Sequence, residues 1–451
     1  MTVALASYIA ENADRFTSEL RELCAIPSEA TDPVALQRAA DWCEQRLRAA
    51  GCVTRQLSVD SAPPLVVGEI GHGERTLIGV QHYDVQPAVP LGLWKTSPYE
   101  PSIRDGAFFA RGADDNKGHL LLRIQALEAY RACFGEMPIR VRFLIEGEEE
   151  SGSGHLEELL AKAPGLTKGT GALKEGGGID SAGRPQLLLG GKGIFYVELR
   201  VRSMARDAHS GGATHLPNAA WRLVAALSTL MDADGRIRIK GFYDDVRAPS
   251  AEERAHVAGL PFDAAEVKRI FGLDRGFAFG RNDADVRVMS QFEPTCNIAG
   301  LWSGFITEGT KTVIPSEAAC KIDFRLVPDQ DPARIRALLR EHLDREGFTE
   351  VEMIAKEGTR PYRGRWDDPL VRATKAAAEE TFGKEALLVP TSGGTSPMWV
   401  VCNEHALANV TLGMGHPNSG AHAPNEHIIL ANYWKALAAT ARLYGRYATE
   451  T

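Results

Sequence analysis

Apolar and polar positions follow two different periods along this chain, and the switches between them outline its elements. Over 3–24 and 33–50 the apolar residues recur every three to four positions; in the second stretch Leu36, Ala39, Cys43 and Leu47 share one face. Pro33 near its start and Gly51 after its end suit the two ends of a helix, so both stretches are expected to be helical. TLIGVQHYDV (76–85) is a short apolar run of strand type, GHLLLRIQALEAYRAC (118–133) reads as a helix, and IRVRFLIEG (139–147) as a strand. Strands separated by helices imply a largely parallel sheet covered on both faces.

From about residue 193 the pattern changes. FYVELRVRS (195–203) and CKIDFRLVP (320–328) alternate apolar with charged side chains, as antiparallel strands with one wet face do. Helices are expected over 217–233 and 331–347, the latter with Asp331 as N-cap, Pro332 in its first turn, and Ile335, Leu338, Leu339 and Leu343 on one face. After about residue 365 the alternation of helix and strand resumes, with a helix at 369–382, a strand at 407–412 and a last helix at 430–446. The expected fold class is α/β. A domain built from 1–192 and 366–451, with a mixed, largely parallel sheet flanked by helices, is interrupted by a smaller α+β domain at 193–365.

The bulk numbers narrow the function classes. A chain of 451 residues is too long for one comfortable core, and 44% hydrophobic content is enough to fill two. A net charge of -8 leaves no broad basic surface, which argues against nucleic acid or an anionic membrane as the main partner. The start, MTVALASYIAENADRF, has acidic residues where a signal peptide needs apolar ones, and no run of about 18 uncharged apolar residues follows, so a cytoplasmic location is expected. Seven scattered cysteines without a CxxC pair read mostly as buried thiols.

In an open α/β sheet, ligands gather where strands end, and the polar residues at those points are of metal-ligand type. In order they are His82 and Asp84 in QHYDVQP, Asp114 and Asp115 in RGADDNKG, Glu146 and Glu148 to Glu150 in FLIEGEEESGSG, Glu175 in LKEGGG, and His422 in GAHAPNE. Singly each is ordinary. Four carboxylates within five positions repel one another, so either water screens them or something positive sits among them. Taken together, imidazoles and carboxylates without thiolates suit zinc, manganese or cobalt, and two histidines with several carboxylates can hold two ions that share one carboxylate. That is the equipment of a hydrolase. A serine hydrolase or nucleotide enzyme fares worse, since no GxSxG occurs and LLGGKGIF lacks the rest of a phosphate-binding loop.

HYDVQP, RGADDNKG, EGEEESGS, LKEGG, DAHSGG, KTVIPSEAACKIDFRLVP and GAHAPNE, in this order and across nearly the whole chain, resemble the M20 family of dinuclear zinc peptidases, most closely its carnosinase and dipeptidase branch. The resemblance implies two zinc ions per subunit, with manganese or cobalt as alternatives. His82 and Glu175 would bind one ion, Glu150 and His422 the other, and Asp115 both, with the Asp115–Asn116 bond cis. Asp84 would orient His82. Glu149 would be the general base, while Glu146 and Glu148 have no family role and Glu148 reads as a solvated neighbour.

The interrupted domain is then the catalytic one, and the insert a lid and dimerisation domain. His209 in DAHSGG matches the histidine that stabilises the oxyanion, often across a homodimer. The resemblance further implies that Arg325, with Thr312, grips a substrate carboxylate, that Thr395 in GGTSP contacts substrate, and that Asn297 lines the pocket. WDDPL (366–370) lacks the histidine that carnosinases show beside a proline, which sets carnosine aside as the assured substrate. The expected activity is hydrolysis of a dipeptide or related small amide with a free carboxylate. A deacylase of N-acyl amino acids and a carboxypeptidase are the alternatives within the class, and a non-catalytic binding protein is the alternative outside it.

Overall fold

The computed structural model describes residues 2–451, and the chain forms two compact units. The first comprises the described residues up to Gly190, Arg363–Pro390 and Pro397–Thr451; the second comprises Gly191–Tyr362 and the short segment Thr391–Ser396. Ten strands build the two main sheets. In chain order they are β1 (Val53–Leu57), β2 (Leu65–Ile70), β3 (Thr76–His82), β4 (Arg140–Glu146) and β5 (Gly171–Lys174), then β6 (Gly193–Arg202), β7 (Thr295–Ser303), β8 (Glu317–Leu326), β9 (Glu352–Ala355) and β10 (Asn409–Thr411).

The sheet of the first unit runs β1-β2-β4-β3-β5-β10. β4, β3, β5 and β10 are parallel neighbours, whereas β1 and β2 add an antiparallel edge, so the sheet is mixed as expected. Its parallel strands are buried on both faces by helices that include Pro33–Ala49, Lys117–Phe134, Pro369–Phe382 and Leu430–Thr449. Lys117–Phe134 is buried around most of its circumference, from Leu120, Leu121 and Leu122 through Ala126 and Leu127 to Tyr130. Its first turn needs Gly118, because a β-carbon there would stand 2.0 Å from the Ala113 carbonyl oxygen. Just before it, the Asp115–Asn116 peptide bond is cis.

The second unit has a four-stranded antiparallel sheet, β7-β8-β6-β9. Strict alternation puts Phe195, Val197, Leu199 and Val201 on one face with Ile322 and Phe324, where Leu223 of helix Ala219–Ser228 and Ile335, Leu339 and Leu343 of helix Pro332–Arg345 cover them. The other face carries Lys321, Asp323 and Arg325. β7 is an edge strand and is exposed along much of its length, with Ile298, Leu301 and Trp302 open to solvent. Among the described residues no helix is long and apolar enough to cross a membrane.

Candidate metal centre

Three parallel strands of the first sheet stop at one edge, and each delivers ligand-type residues there. β3 ends on His82 and β4 on Glu146, which are register partners; β5 ends on Lys174, next to Glu175. β10, paired with β5, leads into the loop that carries His422. Asp115 comes from the loop that opens helix Lys117–Phe134.

These groups converge. Asp115 Oδ1 lies 3.2 Å from His82 Nε2, and its Oδ2 lies 3.0 Å from His422 Nε2. His82 Nε2 is also 3.8 Å from Glu175 Oε2, and His422 Nε2 is 3.1 Å from Glu150 Oε2. Each imidazole therefore faces one oxygen of Asp115 and one further carboxylate, giving two donor sets with Asp115 in common. Asp84 stands behind: its Oδ1 is 3.2 Å from His82 Nδ1, and its Oδ2 accepts from the Glu150 backbone N–H at 3.0 Å.

These charged groups act on one another. Burial alone would lower the pKa of His82, but hydrogen bonds to Asp115 and Asp84 raise it well above the usual imidazole value. Hydrogen bonds to Asp115 and Glu150 push His422 up to about 10. Asp115 moves the opposite way: burial would raise it, and the two histidines hold it well below the usual carboxylate range. Glu149 is raised well above that range, first by burial and then by the neighbouring charge of Glu175. Glu175 is itself raised by burial.

Glu150 Oε1 is buried and has no hydrogen-bond partner among the described residues, so a ligating oxygen is left over there. Ligand atoms of Asp115, Glu150 and His422 all lie within 4.8 Å of one another. The donors are oxygen and imidazole nitrogen without thiolate, a set that fits zinc, manganese or cobalt. Mutually repelling buried carboxyls are what a dication relieves.

Glu148 is not the solvated neighbour expected from its sequence position. It accepts from the His155 backbone N–H at 3.3 Å and lies 2.9 Å from His155 Nδ1, tying the acidic turn to the start of helix Leu156–Ala161. Glu146 is buried, and its carboxyl is pushed up to about 8 by burial and then by Asp84. Two further groups lay outside the sequence reading. Gln86 donates to Glu150 Oε2 at 3.0 Å, and Glu426, fully buried, accepts from the loop that carries Asp115. Both belong to quoted motifs, HYDVQP and GAHAPNE, so their position was visible although their partners were not.

In the second unit the candidate substrate residues form separate pairs. Arg325 Nη1 donates to Thr395 Oγ1 at 2.8 Å, bringing the 391–396 segment against the polar face of β8. Beside Arg325 on that face, Asn297 Nδ2 donates to Asp323 Oδ2 at 2.8 Å. His209 Nδ1 accepts from the Gly211 N–H at 3.1 Å, and its Nε2 lies 3.3 Å from Thr312 Oγ1. Arg325 is thus joined to Thr395, and Thr312 to His209.

Comparison with known proteins agrees with this chemistry. The profile of "Peptidase family M20/M25/M40" matches residues 80–448. The human Beta-Ala-His dipeptidase is 31% identical over 468 residues, 94% of this chain and 89% of that protein. The Cys-Gly metallodipeptidase DUG1 of Saccharomyces cerevisiae is 30% identical over 406 residues, 85% of this chain and 82% of that one. Among solved structures, an M20 family metallo-carboxypeptidase, Sso-CP2 from Sulfolobus solfataricus, is 34% identical with a TM-score of 0.89, over 96% of this chain and 99% of the other. A profile match over most of the sequence, on a fold that gathers imidazoles and carboxylates at one sheet edge, makes this chain a member of peptidase family M20/M25/M40, a metal-dependent hydrolase.

Proposed function

We propose that this protein hydrolyses the peptide bond of dipeptides that carry a free carboxylate, using two divalent ions, zinc first. His82, Asp115 and Glu175 would hold one ion, and Asp115, Glu150 and His422 the other. The observation that carries this reading is the pair of contacts made by Asp115, whose two oxygens face different histidines. When bound, the ions supply Lewis-acid polarisation of the scissile carbonyl and make water a better nucleophile at neutral pH.

The remaining work falls to the chain. Asp84 fixes the ring of His82 through Nδ1, with its backbone carbonyl at 3.1 Å and its carboxylate charge at 3.2 Å. Glu149 takes a proton from the attacking water at its carboxylate as the oxygen bonds to the carbonyl carbon, then returns it to the leaving nitrogen as the C–N bond breaks. His209 donates to the oxyanion, and Arg325 receives the substrate carboxylate as a planar fork, with the Thr312 hydroxyl, which lies against His209, as its second donor; Thr395 beside Arg325 contacts substrate, and Asn297 adds to the same polar face.

Support for a dipeptide comes from the Beta-Ala-His and Cys-Gly dipeptidases among the relatives. The likeness to a metallo-carboxypeptidase favours a second reading, removal of a C-terminal residue from a longer chain. N-acyl amino acids are the third substrate class. Rates on matched dipeptides, N-acetyl amino acids and tetrapeptides sort the three; a preference for tetrapeptides or acyl substrates would displace the dipeptidase reading.

A homodimer is part of the proposal, with His209 serving the partner's centre. It is supported by the open edge strand β7 and its exposed Ile298, Leu301 and Trp302. Seven free cysteines, five of them buried, support a reducing compartment such as the cytoplasm.

A further inference from the structure

Glu426 is wholly buried, yet nothing in the proposed reaction uses it. Its carboxylate is nevertheless fully engaged. Oε1 accepts from the backbone N–H groups of Asp114 at 2.8 Å and Asp115 at 2.9 Å, and Oε2 accepts from Gly112 N–H at 3.0 Å and Arg111 Nη1 at 2.7 Å. Four donors fill the roughly four lone-pair positions of a carboxylate, so no site is left for substrate or metal. The Arg111 side chain is buried as well, at 1% exposure, so this is a charge pair removed from water and satisfied by its own loop.

What the contacts accomplish is geometric. Three N–H groups of one short loop converge on a single anion, which bends residues 112–115 into a cradle whose last member is Asp115. At Gly112 the backbone has φ +82, and a β-carbon there would meet Val85 Cγ1 at 2.8 Å. The anion belongs to the segment that also presents His422. That segment is fastened to the same loop at further points: Ala110 N–H donates to the Glu426 carbonyl at 3.1 Å, Ser419 Oγ donates to Asp114 Oδ2 at 2.5 Å, and His427–Ile429 pairs with Ala107–Phe109.

We propose that Glu426 is a positioning residue of the metal centre: its carboxylate sets the placement of Asp115 relative to His422, and so the affinity for the ion those two would share with Glu150. The inference rests on the metallopeptidase reading above. It assigns to the last residue of the GAHAPNE motif a role distinct from ligation or proton transfer.

The test is Glu426→Gln, which keeps the shape but turns an N–H₂ group toward two of the four donors. Zn2+ and Co2+ are titrated calorimetrically into chelator-stripped full-length protein, and the visible absorption of bound Co2+ is recorded. Wild type is expected to bind two ions, and E426Q to bind at least one of them about ten- to hundredfold more weakly, with an altered Co2+ spectrum. Its hydrolytic rate is expected to recover toward wild type in excess metal, which loss of a purely structural contact would not produce. Wild-type affinity and spectrum in E426Q would overturn the inference alone, as would an E426Q that stays unfolded by circular dichroism even in excess metal. Absence of stoichiometric metal on wild type would instead overturn the reading beneath it.

Discussion

Asp84 and Glu150 are joined by a hydrogen bond from the Glu150 backbone N–H to Asp84 Oδ2 at 3.0 Å, while the other oxygen of Asp84 lies 3.2 Å from His82 Nδ1. One buried carboxylate thereby links a proposed ligand of each ion. Asp84→Asn retains the shape and the 3.1 Å contact of the Asp84 backbone carbonyl with His82 Nδ1, but loses the negative charge beside the ring. Metal affinity is expected to fall about ten- to hundredfold, read by competition with a chromophoric chelator. An unchanged affinity would remove Asp84 from the centre.

Glu149→Gln separates proton transfer from metal binding. It leaves His82, Asp115, Glu150, Glu175 and His422 intact, so metal content measured by emission spectroscopy is expected to match wild type. The turnover number is expected to drop by about 10² to 10⁴. A near wild-type rate would assign the general base elsewhere.

Arg325 is expected to read the substrate carboxylate. Arg325→Met should lower kcat/KM for a dipeptide by about ten- to hundredfold, the range for a charge-assisted hydrogen bond worth roughly 1.5–3 kcal/mol. The same comparison on the C-terminally amidated dipeptide should show little difference. Equal losses on both substrates would point to a structural role through Thr395.

Lys192 gives a pH signature of stability away from the metal centre. Its side chain is buried and donates to the Glu293 carbonyl at 2.7 Å, and burial brings its pKa down to about 8 from an unfolded value near 10.4. Between these values the unfolded chain holds a proton that the folded one has released, so stability rises with pH across that window. Below about 8 the folded state carries the full burden of a buried ammonium. Lys192→Met is therefore expected to gain stability relative to wild type near pH 7 and to lose that advantage as pH approaches 10.5, measured by urea unfolding. A gap independent of pH would contradict the shift.

The exposed edge of β7 predicts the assembly state. Ile298→Lys and Trp302→Glu place charge where Ile298 is 51% exposed and Trp302 38% exposed. Both variants are expected to sediment as monomers while wild type sediments as a dimer. Monomeric wild type would remove the proposed partner contribution of His209.

Much of the centre was legible because its chemistry is local to strand ends. β3 and β4 announce themselves by apolar runs, and His82 and the acidic turn follow within a few positions, so period and punctuation together locate them; β5, only Gly171–Lys174, carries no such run, and Glu175 stood out by its LKEGGG motif alone. The helix at Lys117–Phe134 was legible from its length, although its near-complete burial was not. What escaped were pairings between distant segments. Glu148 looked solvated because nothing in EGEEE points forward to His155, and Glu426 looked like the tail of a motif because its partners, Gly112 to Asp115, lie on the far side of the inserted unit in sequence. Apolar periodicity carries information about faces, whereas a buried carboxylate's donors are fixed only once the sheet order brings the loops together.

The sheet order β4-β3-β5-β10 has a consequence for how the protein is made. His82, Asp115, Glu150 and Glu175 all precede the inserted unit in the chain, whereas His422 follows β10, the strand that pairs with β5. A growing chain on the ribosome can therefore assemble most of the acidic pocket and still lack the residue that completes it. The donor set proposed for the second ion therefore stays one imidazole short until nearly the whole of this sequence has been translated.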